Sequence, residues 1–149
     1  MEKLNVLNEI SVVYTSKGSC KVISNSHSAA KLCREIFALD GCNIDLKEYF
    51  YIILLDNSNT VKGYYKLSEG GIDATIADVR IAFSVALKCL ASGVILCHNH
   101  PSGKLAASDK DVLLTRKFKD AGRILSIKVL DHIILTQSCY SSIADSGLL

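Results

Sequence analysis

An apolar run that stops at two histidines is the tightest constraint in this chain. Gly93–Asn99, GVILCHN, carries no polar side chain before His98 and reads as a β-strand, with His100 directly after it. Residues i and i+2 of a strand share a face, so His98 and His100 present two imidazoles side by side. Cys97 and Asn99 point the other way, which makes Cys97 a packing residue and not a ligand. Pro101 and Gly103 then turn the chain and can bring a later segment back over the strand's end. That segment contains Ser108 and Asp111, just before a helical pattern. A histidine pair plus one carboxylate gives three protein ligands and leaves a fourth tetrahedral position open, the layout of a catalytic zinc site. Imidazole and carboxylate suit zinc and, less selectively, other divalent ions. Ser-x-x-Asp ahead of an apolar helix face also resembles a capping box. Both readings of Ser108 and Asp111 stand at this point.

The flanking sequence supplies the rest of a layered domain. EISVVYTS reads as a short strand followed by a turn at KGS. SNSHSAAKLCREIFAL reads as a helix capped by Ser26 or Ser28, with Ala29, Leu32, Cys33, Ile36 and Phe37 on one face. His27, near its start, reads as a solvated residue. EYFYIILLD is a buried strand that ends at the polar turn DNSNT, and VKGYYKLSEGG is its antiparallel partner. ADVRIAFSVALKCLA predicts a helix with Val79, Phe83, Ala86, Leu87 and Leu90 inward. SDKDVLLTRKFKDAG predicts a second one, ending at Gly122. LSIKVLDHIILT and CYSSIA complete the set as strands. Alternating strands and helices make the class α/β (α+β), one domain with a mixed sheet. Asp131-His132 falls on a strand, and His132 reads as a partner to the site or, in preference, as a hydrogen-bonded sheet residue. Arg116, Lys117, Lys119 and Arg123 read as a solvated helix face, thin for a nucleic-acid footprint.

Composition excludes several classes. With 149 residues, 49% of them hydrophobic and 21% charged, the chain can bury a core and is not a disordered sequence. No apolar run approaches a membrane span, and the N-terminus lacks the pattern of a signal peptide, so a cytoplasmic location is expected. A net charge of +2 argues neither for nor against nucleic acid. The six cysteines, at 20, 33, 42, 89, 97 and 139, form no CxxC pair and read as reduced, mostly buried thiols.

His98-x-His100-Pro101, six residues, Ser108, two residues, Asp111 resembles the signature of the JAMM (MPN+) metallohydrolases, with every fixed position filled. More narrowly, HNHPSG followed by LTRKFKDAGRILSIKVLDHIIL resembles the RadC family of bacterial JAB-domain proteins, from about Ile44 to Leu149. The resemblance implies a JAB/MPN-like domain, a mixed, curved β-sheet flanked by helices, over residues 44–149. Residues 1–43 would form a strand–helix extension packed on it. It also implies Zn2+ held by His98, His100 and Asp111, an oxyanion donor in Ser108, and a glutamate general base from an earlier strand. Glu48 is preferred for that base, with Glu69 as competitor. The implied activity is hydrolysis of a peptide or isopeptide amide bond, on a substrate that the sequence does not identify. Full-length RadC proteins resemble a two-part chain with an N-terminal helix-hairpin-helix DNA-binding module. The 43 leading residues hold no glycine-bearing hairpin, so that module is expected to be missing and direct DNA binding is undercut. Ile81 departs from the family, whose members tend to carry Glu there, but it lies outside the ligand set. The competing expectation is a non-catalytic accessory protein of DNA repair or recombination, acting through protein or weak DNA contacts.

Overall fold

β-Branched and aromatic residues fill Tyr49–Leu55 (β1), and every one of them is buried, because both faces of this strand are covered. The structure, a computed structural model, describes residues 7–18, 21–71 and 76–149. Its elements in chain order are α1 (Ser26–Leu39), β1, β2 (Val61–Glu69), α2 (Val79–Lys88), β3 (Gly93–Asn99), α3 (Asp109–Leu125), β4 (Lys128–Leu135) and β5 (Tyr140–Ser142). The strands form one open sheet in the order β2-β1-β3-β4-β5. Antiparallel pairing joins β1 to β2 and β3, and β4 to β5, while β3 and β4 run parallel. A parallel pair needs a crossover, and α3 supplies it. The fold is therefore α+β, a single domain with a mixed sheet.

Alternation along the central strands separates two cores. Tyr49, Tyr51, Ile53, Leu55, Ile95, Cys97, Ile133 and Leu135 pack with α1. Phe50, Ile52, Leu54, Val94, Leu96 and Val129 pack with Phe83 of α2 and Phe118 of α3. His98 follows Leu96 by two positions and so faces the α2–α3 layer. Between β1 and β2, Asp56 accepts from the backbone N–H groups of Ser58 (2.8 Å) and Thr60 (2.9 Å), the Asx-type turn that Asp and Asn favour.

Four local expectations are corrected. EISVVYTS forms no strand: Ile10 is 88% exposed and Val13 80%, and this segment finds no backbone ladder partner. Just before β2, Thr60 forms an isolated bridge with Val22. The cap of α1 is Asn25, whose side chain accepts from Ser28 N, while Ser28 closes the reciprocal bond. Leu87 and Leu90 are exposed, since α2 ends at Lys88 and Leu90 turns the chain with φ 54. α3 runs past Gly122 to Leu125, capped by Ser126 in the left-handed region. Gly122 marks a close approach instead: a Cβ there would lie 2.3 Å from Ile127 O. Of the thiols, Cys33, Cys89 and Cys97 are buried, Cys42 is half-buried and Cys139 is exposed. Cys20 and Ser19 of the KGS turn lie outside the described residues.

Candidate metal centre

Three elements converge at the end of β3. His98 is the penultimate residue of that strand, 2% exposed, with its ring stacked on Phe50 at 5.6 Å between centroids and 5° between planes. His100 lies just beyond, where its backbone N–H still donates to Leu135 O and so extends the β3–β4 ladder. The turn His100–Gly103 closes through Gly103 N to His100 O, 3.1 Å, with Gly103 at φ +80, a conformation for which glycine is suited. This turn carries Lys104 O back to 2.7 Å from His100 Nδ1. A backbone carbonyl only accepts, so Nδ1 holds a proton and Nε2 is turned toward Asp111.

Asp111 comes from the first turn of α3, whose buried stripe continues through Thr115, Phe118 and Gly122. These residues follow one another at helical spacing, so packing Phe118 and Gly122 against the core rotates Asp111 onto the histidines. Asp111 Oδ1 lies 3.3 Å from His98 Nε2, and Oδ2 lies 3.3 Å from His100 Nε2. The two Nε2 atoms are 2.9 Å apart. Among the described residues, His98, His100 and Asp111 form the group that offers one ligand atom each, all within 4.8 Å of one another. Burial alone would push the Asp111 carboxyl up. The hydrogen bonds to His100 and His98 outweigh it and hold that carboxyl far below the usual range. The same bond holds His100 above its ordinary imidazole value, against burial, with Lys104 O and the charge of Glu48 adding to it. Two imidazoles aimed through Nε2 at an ionised carboxylate make a donor set that fits a zinc ion.

The capping role that the spacing of Ser108 suggested is present. Ser108 caps α3, accepting from Asp111 N at 3.1 Å and donating its backbone N–H to Asp111 Oδ2 at 2.8 Å. The capping box and the candidate ligand therefore share one carboxylate, with Ser108 exposed at the rim of the group.

The two glutamates separate by face. Phe50 pairs with His98 in the antiparallel β1–β3 ladder, so the next facing positions outward are Glu48 and His100. Glu69 pairs with Tyr49, which puts it on the α1 side of the sheet. There it binds Lys47 Nζ at 2.5 Å and Lys66 Nζ at 3.7 Å, and the Lys47 contact lowers its pKa.

Of the two readings of His132, the structure favours the partner to the site over the sheet residue. The His132 ring is fully buried, with Nε2 2.7 Å from His98 Nδ1 and Nδ1 2.7 Å from Thr115 Oγ1. Thr115, Phe50 and the carbonyl of Lys104 were not singled out from the sequence. Thr115 was detectable as the residue one helical turn after Asp111, and Phe50 as the strand neighbour two residues from Glu48.

The family model described as the RadC-like JAB domain matches residues 23–148, most of the chain. The chain belongs to the RadC family. A UPF0758 protein of Flavobacterium johnsoniae is 50% identical to it over 101 residues, 68% of this chain and 44% of that protein. UPF0758 proteins of Trichlorobacter lovleyi and Pelobacter propionicus are 45% and 42% identical over 103 residues, 69% of this chain and 45% of each relative. The RadC-like chain thus spans less than half the length of the curated relatives it matches. Among its described residues no helix is long and apolar enough to cross a membrane.

Proposed function

We propose that this RadC-family chain is a zinc-dependent hydrolase that cuts an amide or isopeptide bond. The observation that carries the reading is the convergence of His98 Nε2, His100 Nε2 and an Asp111 carboxylate, with one end of the His100 ring tied to a backbone carbonyl. His98, His100 and Asp111 would hold the ion, which when bound lowers the pKa of water from about 15.7 to about 7 and makes hydroxide available at neutral pH. Glu48, on the face of His100, takes a proton as general base and returns it to the leaving amine. Ser108 already accepts from Asp111 N through its oxygen and keeps its own proton. That proton is donated to the oxygen of the scissile carbonyl as charge develops there, a contribution of about 3 kcal/mol by comparison with other single oxyanion donors. Glu69 plays no part, being held by lysines on the other face.

The test is zinc-loaded protein against a mixed library of fluorogenic peptide amides and lysine isopeptides. Glu48→Gln loses turnover while keeping its zinc, and Glu69→Gln keeps both. Turnover retained in Glu48→Gln refutes the base assignment. Wild-type protein that holds zinc but cleaves nothing in the library refutes hydrolysis of these bonds.

A further inference from the structure

Asn99 stands between the two histidines in sequence, and strand alternation puts its side chain on the other face of the sheet. The positions before it on that face, Ile95 and Cys97, are apolar and pack with α1. Asn99 continues this buried row, 0% exposed, at the residue where β3 ends. The β1–β3 ladder stops one residue earlier, its outermost pair being Phe50 with His98. Beyond that pair the Asn99 side chain takes over. Its Oδ1 accepts from the backbone N–H of Tyr49 at 2.8 Å, and its Nδ2 donates to Ile44 O at 2.8 Å and to Lys47 O at 2.9 Å. A backbone N–H needs an acceptor and two carbonyls need donors, so the partners fix which end of the amide is which. The acceptor and both donors are engaged, and removing the side chain would strand three main-chain groups in the interior.

Two of those groups flank Glu48, one on Lys47 and one on Tyr49. Asn99 thus grips the chain immediately before and immediately after Glu48. On the opposite edge of β1, Glu48 O accepts from Gly70 N at 2.9 Å and Glu48 N donates to Gly71 O at 3.4 Å, so the end of β2 braces the same residue. We infer that Asn99 is a positioning residue that fixes Glu48 relative to His98 and His100. An ordinary ladder pair at this place would hold Tyr49 alone. The amide reaches back to Lys47 and Ile44 as well, and ties the segment leading into β1 to the strand that carries the histidines. Lying on the far face, Asn99 meets neither an ion nor a substrate and acts only through Glu48. For its use this inference rests on the reading of Glu48 as general base, but the placement of Glu48 can be read without turnover.

Two variants and two readouts decide it. Asn99→Ala removes all three bonds. Asn99→Asp keeps the shape and the acceptor for Tyr49 N–H, but can donate to one of the two carbonyls at most. In ion-free protein, Tyr49 N–H should exchange slowly in wild type and in Asn99→Asp, and about 10-fold faster in Asn99→Ala, roughly the protection that one buried hydrogen bond gives. The position of Glu48 is read with cobalt(II), a paramagnetic ion, added in place of zinc to protein labelled with 13C at its glutamate carboxyls. One carboxyl signal should be strongly perturbed by the ion, and Glu48→Gln should remove that signal. In both Asn99 variants the perturbation should weaken, while zinc affinity falls by less than the ~10-fold typical of losing a partner that touches a ligand. A role in stability alone would leave the Glu48 signal as in wild type, and that result overturns the inference. Equal Tyr49 exchange in wild type and Asn99→Ala overturns it as well. A larger loss of zinc affinity in Asn99→Asp would assign the effect to the ligands and also overturn it. If Asn99→Ala does not fold, the Glu48 signal in Asn99→Asp decides. If wild-type protein takes up no metal, the metal reading fails separately and Tyr49 exchange judges the clamp.

Discussion

Replacing Gly122 with alanine tests how tightly α3 is seated, and through that seat how Asp111 reaches the histidines. A Cβ at this position would stand 2.3 Å from Ile127 O, where ordinary contact begins at 3.4 Å, so backbone must open by 3.4 − 2.3 = 1.1 Å. The obstacle is a main-chain carbonyl tied into the start of β4, and no rotamer change relieves it. Overpacking of this severity falls at the upper end of the usual range, about 3 kcal/mol. Alanine returns about 1 kcal/mol through its better helix propensity. The net expectation is a loss of about 2 kcal/mol, which for a domain of this size lowers Tm by about 4–8 °C. Gly71→Ala, whose added Cβ meets nothing within 4 Å, serves as the control and should cost little. Thermal melts and urea titrations of the zinc-free proteins give both numbers. Zinc affinity in Gly122→Ala should also fall, because the displaced helix carries Asp111. A Gly122→Ala protein as stable as wild type would refute the idea that this contact sets the position of the helix.

Other expectations follow from the same geometry. Ser108→Ala should lower stability by about 1 kcal/mol and Ser108→Gly by a few tenths, because glycine is tolerated at an N-cap; equal losses would mean that the hydroxyl does not cap α3 in solution. Phe50→Ala empties space against His98 and Phe118 and should cost about 3–5 kcal/mol by denaturant unfolding, with a smaller loss contradicting the stacked arrangement. Zinc should raise stability by about 2.7 kcal/mol at a free concentration 100 times its Kd, and a chelator should reverse it; unchanged melting would contradict binding to the folded state. Without zinc, His100 has a raised pKa. Its pairing with Asp111 therefore stabilises fully below the ordinary imidazole value of 6.5 and fades as pH rises through the raised one. With zinc the sign reverses, since the ion needs neutral imidazole and competes better as pH rises. Parallel pH–stability curves with and without zinc would contradict the placement of His100 at the site.

Most of this fold can be read from periodicity, because its central strands are short apolar runs and its helices carry clean inward stripes. β1, β2, β3, β4 and β5, and all three helices, occur where the pattern puts them. The failures are local and share a cause: they concern what lies opposite a segment, which no short window contains. EISVVYTS has the composition of a strand but finds no ladder partner among the described residues, and Leu87 and Leu90 are exposed at the end of α2. Gly122 looks like a helix stop, yet it is glycine because Ile127 O comes so near. At the site, His98, His100 and Asp111 were visible through strand alternation and spacing, and the structure brings their ligand atoms together. Glu48 and Glu69 could not be separated by sequence alone, since their faces depend on the register of β1 with both neighbours. His132 could be singled out but not placed for the same reason: the β3–β4 register, with its shift at Val94/Ile95, pairs His132 with Leu96, one pleat from His98.

The central claim is that the histidine pair and Asp111 hold an ion. The most direct test is the zinc content of untagged protein, measured by elemental mass spectrometry after zinc is added and excess removed, beside His98→Ala and Asp111→Ala. The account predicts about one zinc per chain in wild type and almost none in either variant. A wild-type protein without bound metal, or variants that keep it, would contradict the account and leave Ser108 and Asp111 as a helix cap.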